Sequence, residues 1–344
     1  MSKEIILEFS DNTIIPILFG EYNRHLSYLE KRLDIEISDR GNILRISGKI
    51  EDVTKAQMVL QALHTHLLKD GMQNVTRADI DAELRFLSSD DDDSNQDAST
   101  QKKNIKHKRR PDSDNGNEPH GVIKTKNKTI VPRSPNQQQY IELIRNNDMV
   151  FGLGPAGTGK TYLSVAIGVD MYLKGDVERL VFCRPAVEAG ENLGFLPGDM
   201  KEKIDPYLRP IYDALQDMLP WDFLMKKMEC GEIEIAPLAF MRGRTLAHSF
   251  VILDEAQNAT PMQMKMFLTR MGEASHMVIT GDASQSDLPH NMTSGLNEAL
   301  KILKGVEGIG FIKFTDKDVI RHSLVRKIIL AYDKFNNSKN KSNK

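Results

Sequence analysis

The sequence predicts an α/β protein: a mainly parallel sheet carrying a phosphate-binding loop and covered by helices, with a small α+β domain ahead of it. Three observations point there. Gly154-Pro155-Ala156-Gly157-Thr158-Gly159-Lys160-Thr161 fits G-x-x-x-x-G-K-S/T at every fixed position. Apolar runs of strand length at 150–153, 179–183, 233–236, 250–253 and 277–280 alternate with helical segments, the pattern of a parallel sheet buried between helices. Between 88 and 134 the composition changes: 89–93 is acidic, 102–110 is basic, and apolar residues almost vanish. These divide the chain into an α+β domain at 1–87, a disordered charged linker at 88–134, an α/β domain at 135–335 and a polar, disordered tail at 336–344. A chain of 344 residues exceeds the ~250–300 at which a single core usually divides.

In the first domain, residues 5–9 read as a strand, 13–19 as a short helix, and 21–33 as a helix with Leu26, Leu29 and Leu33 on one face. Residues 34–38 and 42–47 read as a hairpin around Arg40-Gly41. A helix follows, with Val53, Ala56, Leu60, Leu63 and Leu67 at helical spacing. The order is β-α-α-β-β-α. With Gly20-Glu21-Tyr22-Asn23 where two helices meet, it resembles a KH-like module, whose G-x-x-G loop clamps a nucleic-acid backbone. Here Asn23 replaces the second glycine and Glu21 adds negative charge, so packing or oligomerisation is an equal reading.

In the second domain, 148–153 reads as a buried strand and 162–173 as a helix, the context the phosphate loop requires. Glycines let successive N–H groups turn toward an anion, and the helix N-terminus adds about half a positive charge. Residues 154–161 would then bind a nucleoside triphosphate, with Lys160 on the β- and γ-phosphates and the Thr161 hydroxyl on Mg²⁺.

Phe250-Val251-Ile252-Leu253 followed by Asp254-Glu255-Ala256-Gln257 has the form of a Walker B strand. Asp254 would hold Mg²⁺, and Glu255 would orient or deprotonate the attacking water. Thr280-Gly281-Asp282-Ala283-Ser284-Gln285 closes another apolar strand. Its form resembles the γ-phosphate-sensing motif of superfamily 1 helicases, which makes Gln285 the expected sensor. Gln139, in Pro135-Asn136-Gln137-Gln138-Gln139, aligns best with the adenine-reading glutamine of those helicases. The fold expected is thus a P-loop NTPase of RecA and superfamily 1 helicase type.

The phosphate loop, Arg184-Pro185-Ala186-Val187-Glu188-Ala189-Gly190-Glu191, Leu193-Gly194-Phe195-Leu196-Pro197-Gly198, Asp254-Glu255-Ala256-Gln257-Asn258, the segment from Thr280 to Gln285 and Asp318-Val319-Ile320-Arg321-His322 together resemble a PhoH-family ATPase. The resemblance spans about 135–332, and the KH-like segment resembles the PhoH-like branch. It implies a cytoplasmic ATP-binding protein linked to RNA metabolism, in some bacteria to phosphate starvation, and in some relatives to a metal-dependent endoribonuclease of ribosomal RNA maturation. No PIN-type nuclease domain is legible, so the chain is not expected to cut RNA itself.

The remaining composition narrows the classes. Charged residues are 27% and hydrophobic ones 40%, ordinary globular values. No apolar stretch approaches the ~20 residues that span a bilayer, so no membrane partner is expected. A net charge of −2 gives no global attraction to nucleic acid, so RNA would need a local basic surface. The basic run at 102–110 reads as solvated linker or as an RNA-binding arm. Cys183 and Cys230 lack zinc or disulfide spacing and read as packing residues. No metal site beyond nucleotide-bound Mg²⁺ is indicated.

One phosphate loop and ~200 residues make one motor core, so a completing arginine would come from a neighbouring subunit in a ring, such as a hexamer. Arg321 is the expected arginine finger; a surface salt bridge is the other reading. Arg184, directly after a strand, would contact RNA phosphates or ATP. Two classes of function remain: an ATPase that remodels RNA or ribonucleoprotein, and a nucleotide-dependent adaptor that recruits a ribonuclease. A metabolic kinase is weaker, since no small-acceptor site is legible.

Overall fold

The strand and helix patterns become two units in the computed structural model, residues Met1–Gln139 and Tyr140–Lys344. The structure describes residues 2–69, 72, 74–92, 121–185, 200–288 and 292–319.

The first unit opens with β1 (Ser2–Glu8), α1 (Ile15–Phe19), a 3-10 turn (Glu21–Asn23), α2 (Arg24–Leu33), β2 (Glu36–Arg40), β3 (Ile43–Lys49) and α3 (Ile50–Lys69). Their order is the expected β-α-α-β-β-α. The strands pair antiparallel in the order β1-β3-β2. Period-2 burial sets the register: Leu44 and Ile46 of β3 are buried while Ile43 and Arg45 are exposed. Val53, Ala56, Leu60, Leu63 and Leu67 of α3 complete the same core. In the Gly20–Asn23 turn, Tyr22 and Asn23 take positive φ of 54° and 57°, and Tyr22 is fully exposed.

Two elements enter the stretch assigned to linker. Helix α4 (Arg77–Asp92) buries Ile80 and Leu84, and its Asp81 accepts from the Tyr28 hydroxyl at 2.9 Å. Strands β4 (Ile123–Lys124) and β5 (Thr129–Ile130) form a hairpin that buries Ile123 and Ile130. Thr125 closes it, donating from its amide (3.0 Å) and hydroxyl (2.7 Å) to the Lys128 carbonyl. A two-residue strand needs one apolar side chain, so the low apolar content that reads as linker does not exclude it. Residues 93–120 and the tail at 336–344 lie outside the described residues.

Helix α5 (Pro135–Asn146) crosses the boundary between the units. The second unit continues with β6 (Met149–Leu153), α6 (Lys160–Lys174), β7 (Arg179–Arg184), α7 (Met200–Met218), α8 (Trp221–Glu229), β8 (Ile233–Pro237), β9 (Ser249–Leu253), α9 (Pro261–Leu268), β10 (His276–Gly281), α10 (Gly295–Ile302) and β11 (Ile309–Lys313). The six strands lie in the order β11-β6-β10-β9-β7-β8, every pairing parallel.

Continuous apolar runs make such a sheet because both faces are covered. Phe151, Cys183, Val251, Leu253 and Ile279 share a cluster with Met264 and Phe267 of α9 and Leu296 of α10. Phe250, next to Val251 on β9, turns the other way and reaches α6, where a Cβ on Gly168 would lie 2.7 Å from its ring. Helix α6 is the central one, buried from Leu163 through Met171. Cys183 packs in the core as expected, whereas Cys230 is exposed at the end of α8. The described residues contain no helix long and apolar enough to cross a membrane.

Gly152 lets β6 approach the fully buried Tyr140, whose ring would lie 2.7 Å from an added Cβ. The ring cannot retreat, because its hydroxyl hydrogen-bonds the Ser164 hydroxyl at 2.7 Å and its edge packs on Phe314. Gly152→Ala is expected to lower stability by about 1–3 kcal/mol through overpacking, measured by urea denaturation.

Candidate functional site

Parallel pairing places the carboxyl ends of β6, β10 and β9 side by side, and the chemistry sits on those ends. The loop after β6 takes positive φ at Gly154 (142°), Gly157 (84°) and Gly159 (84°), conformations that side-chain-bearing residues avoid. Helix α6 begins at Lys160 and aims its free N–H groups into the loop. Phe314, just past β11, braces the loop from behind: a Cβ on Gly154 would lie 2.6 Å from the Phe314 carbonyl oxygen. Phe314 N–H bonds the Leu153 carbonyl at 2.7 Å, and Gly154 N–H bonds that of Gly281 at 3.1 Å.

Lys160 Nζ curls over this loop and donates to the carbonyls of Gly154 (2.6 Å) and Pro155 (2.9 Å). Thr161 Oγ1 donates to Asp254 Oδ1 at 2.6 Å. Asp254 is buried at the end of β9, and the same oxygen accepts from Thr280 Oγ1 of β10 at 2.6 Å. A buried carboxylate without donors would be costly; here the two hydroxyls serve one oxygen, and Arg184 Nε lies 3.2 Å from the other. The second nitrogen arm of Arg184 reaches Glu255 Oε1 at 2.9 Å.

Glu255 follows in a left-handed conformation, φ 53°, which turns its half-exposed carboxylate away from Asp254's buried position. Gln257 Nε2 donates to Glu255 Oε2 at 2.5 Å. These groups line one cavity of about 920 Å³ with the loop, Asp282 and Gln285. Helix α7 supplies another part of the wall through Asp213, Gln216 and Asp217, and Tyr162 ties it to α6 by donating to Asp217 Oδ2 at 2.7 Å.

The expected loop residues, Lys160, Thr161, Asp254, Glu255 and Gln285 are therefore brought together. Gln139 is exposed on α5 and is not among the cavity's lining residues. Arg321 and residues 186–199 lie outside the described residues. Sequence reasoning left Arg184 open between RNA and ATP, and the structure pairs it with both carboxylates. Its signal is register: Cys183 pairs with Leu253 across β7 and β9, so Arg184 and Asp254 leave adjacent strands together. Thr280 and Gln257 stood inside quoted motifs without a role.

Chemically, the loop amides and Lys160 are suited to a polyanion. Thr161 and Asp254 present hard oxygens beside it, the donor set a small divalent cation prefers. Glu255 brings a half-exposed carboxylate to the same cavity.

Residues 129–333 match the family model described as PhoH-like protein. The chain is similar to a PhoH-like protein of Bacillus subtilis, 46% identical over 93% of this chain and 94% of that one. A PhoH-like protein of Synechocystis is 40% identical over 93% of this chain and 92% of the relative. Protein PhoH of Escherichia coli is 43% identical over 59% of this chain and 58% of its own length.

Thr280→Val would remove one of two hydroxyl donors to a buried carboxylate oxygen. A stability loss of about 1–3 kcal/mol is expected, measured by urea denaturation without added ligand.

Proposed function

Because the chain belongs to the PhoH family, we propose that it binds ATP with Mg²⁺, hydrolyses the γ-phosphate, and couples that cycle to remodelling of RNA or ribonucleoprotein. The observation that carries this reading is the 2.6 Å bond between the Thr161 hydroxyl and the Asp254 carboxylate. It joins the phosphate loop to the acidic strand in one cavity with Glu255 and Gln285.

Lys160 would exchange its loop carbonyls for the β- and γ-phosphate oxygens. Thr161 and Asp254 would hold the cation, which supplies charge neutralisation on the phosphates. Glu255 orients the attacking water and takes its proton as the bond to the leaving diphosphate oxygen breaks. Gln285 hydrogen-bonds the γ-phosphate or the water, so its contact changes when phosphate leaves. Arg184, already held over the carboxylates, is available to the transferred phosphoryl group. In this reading a further arginine, Arg321, reaches the site of a neighbouring copy in a ring.

The RNA arm of the proposal draws on the helicase-like placement of the acidic pair and Gln285 at the ends of adjacent strands. The antiparallel first unit, with its exposed Tyr22, gives a second surface for it. The proposed partners are RNA and, for the adaptor function, a metal-dependent endoribonuclease; the proposed location is the cytoplasm.

Lys160→Ala is expected to reduce ATP turnover at least about 100-fold, the scale of removing one charge-stabilising donor. Steady-state phosphate release with and without RNA checks this, and wild-type turnover indifferent to every RNA tried would reject the coupling. Glu255→Gln is expected to keep nucleotide binding while kcat falls about 10²–10⁴-fold, read by pairing a binding titration with the turnover assay. A Glu255→Gln protein that still functions in cells where Lys160→Ala does not would favour the adaptor.

A further inference from the structure

The turn that carries Glu255 is sewn to the segment that carries Gln285, and the buried Gln257 side chain bonds both directly. Gln257, 4% exposed, donates from Nε2 to Glu255 Oε2 at 2.5 Å, and its Oε1 accepts from the backbone N–H of Asp282 at 3.0 Å. An amide has one donor end and one acceptor end. Here one end holds the carboxylate and the other holds the sensor segment.

The neighbourhood is built around this side chain. A Cβ on Gly281 would lie 2.7 Å from Gln257 Oε1, so only glycine leaves the amide room to reach Asp282. Asn258 forms a second tie, donating to Asp287 Oδ2 at 3.1 Å and accepting from Asp287 N–H at 2.9 Å. Asp282 in turn closes the segment on itself: its carbonyl accepts from Gln285 N–H at 3.1 Å, and its Oδ1 accepts from Ser284 N–H at 3.0 Å. Glu255 is fixed at both oxygens, Oε1 by Arg184 and Oε2 by Gln257. Both oxygens are held while the Glu255 backbone sits in the left-handed region, φ 53°.

We propose that Gln257 is a positioning residue that couples Gln285 to Glu255, so that a shift of the 282–285 segment on γ-phosphate contact re-aims the Glu255 carboxylate. This rests on the ATPase reading above. In this role Gln257 acts through its two amide bonds, one to each segment. The carboxylate is aimed for water attack when the sensor segment is in its phosphate-engaged position, and it is released when that segment relaxes. Hydrolysis is thereby gated by the ligand it consumes.

Two variants separate the ends of the amide. Gln257→Leu loses both bonds, whereas Gln257→Glu keeps an acceptor for Asp282 N–H and sets a carboxylate against Glu255. Amide hydrogen exchange at Asp282, in the full chain without nucleotide, is expected to speed up in Gln257→Leu and stay near wild type in Gln257→Glu. For both variants kcat for ATP is expected to fall about 10–100-fold, the range seen when an outer partner of an active group is removed, while the dissociation constant for ATP changes less than about threefold.

Unchanged exchange at Asp282 in Gln257→Leu would overturn the tie, as would wild-type kcat in Gln257→Glu. Loss of ATP affinity in step with kcat would reduce Gln257 to a structural residue. If Gln257→Leu does not fold, the Gln257→Glu protein decides through its kcat and dissociation constant. If the wild-type protein does not turn over ATP, the ATPase reading fails, and the exchange measurement still tests the connection between the two segments.

Discussion

A single carboxylate oxygen, Asp254 Oδ1, organises this molecule's chemistry. It accepts the hydroxyl of Thr161 from the start of α6 and the hydroxyl of Thr280 from β10, each at 2.6 Å. Because Asp254 itself ends β9, that one atom ties together three segments that are far apart in the chain. The constraint then runs outward. β10 must lie between β6 and β9, all three must point the same way, and only a parallel sheet with crossover connections provides that.

The sheet explains why the sequence looks as it does. A strand buried on both faces carries no polar alternation, and β9 is buried from Ser249 to Leu253. Polar residues reappear at the carboxyl ends, where the sheet runs out and loops begin. Asp254, Glu255, Asp282 and Arg184 all sit at that edge. The candidate site is thus confined to one rim of the sheet.

That confinement decides what could be read in advance. Five of the strands and the phosphate loop were legible because each is a local pattern, a run of apolar residues or a fixed spacing of glycines. β11 was not: in Ile309–Lys313 a glycine interrupts the apolar residues and a lysine ends them, and the strand is held by pairing along β6 and by the stack of Phe311 on Phe151. α4 and the hairpin of β4 and β5 escaped because a few buried side chains define them within a stretch dominated by charge. At the site, Lys160 and Asp254 follow from motif chemistry alone. Arg184 does not, since its pairing with Asp254 depends on β7 lying next to β9. Gln257 is further still from legibility, because its role exists only where two loops meet.

The internal pairing also bears on how such a site can bind a highly charged ligand. Lys160 is bonded to loop carbonyls, and Asp254 and Glu255 share the Arg184 guanidinium. A site of unpaired buried charges would be strained by their desolvation before any ligand arrived. Here each charge already has a partner that a triphosphate or a cation can replace, so binding becomes an exchange of partners, with little new charge buried. On the proposed reading Lys160 would exchange carbonyls for phosphate oxygens, and a cation at Asp254 would compete with Arg184 for the same carboxylate. Under the proposed reading, an Arg184 guanidinium displaced from Asp254 would stay beside the cavity, still held by Glu255 Oε1. The pairing that holds the site together without ligand would, on that reading, also keep an arginine beside the phosphates.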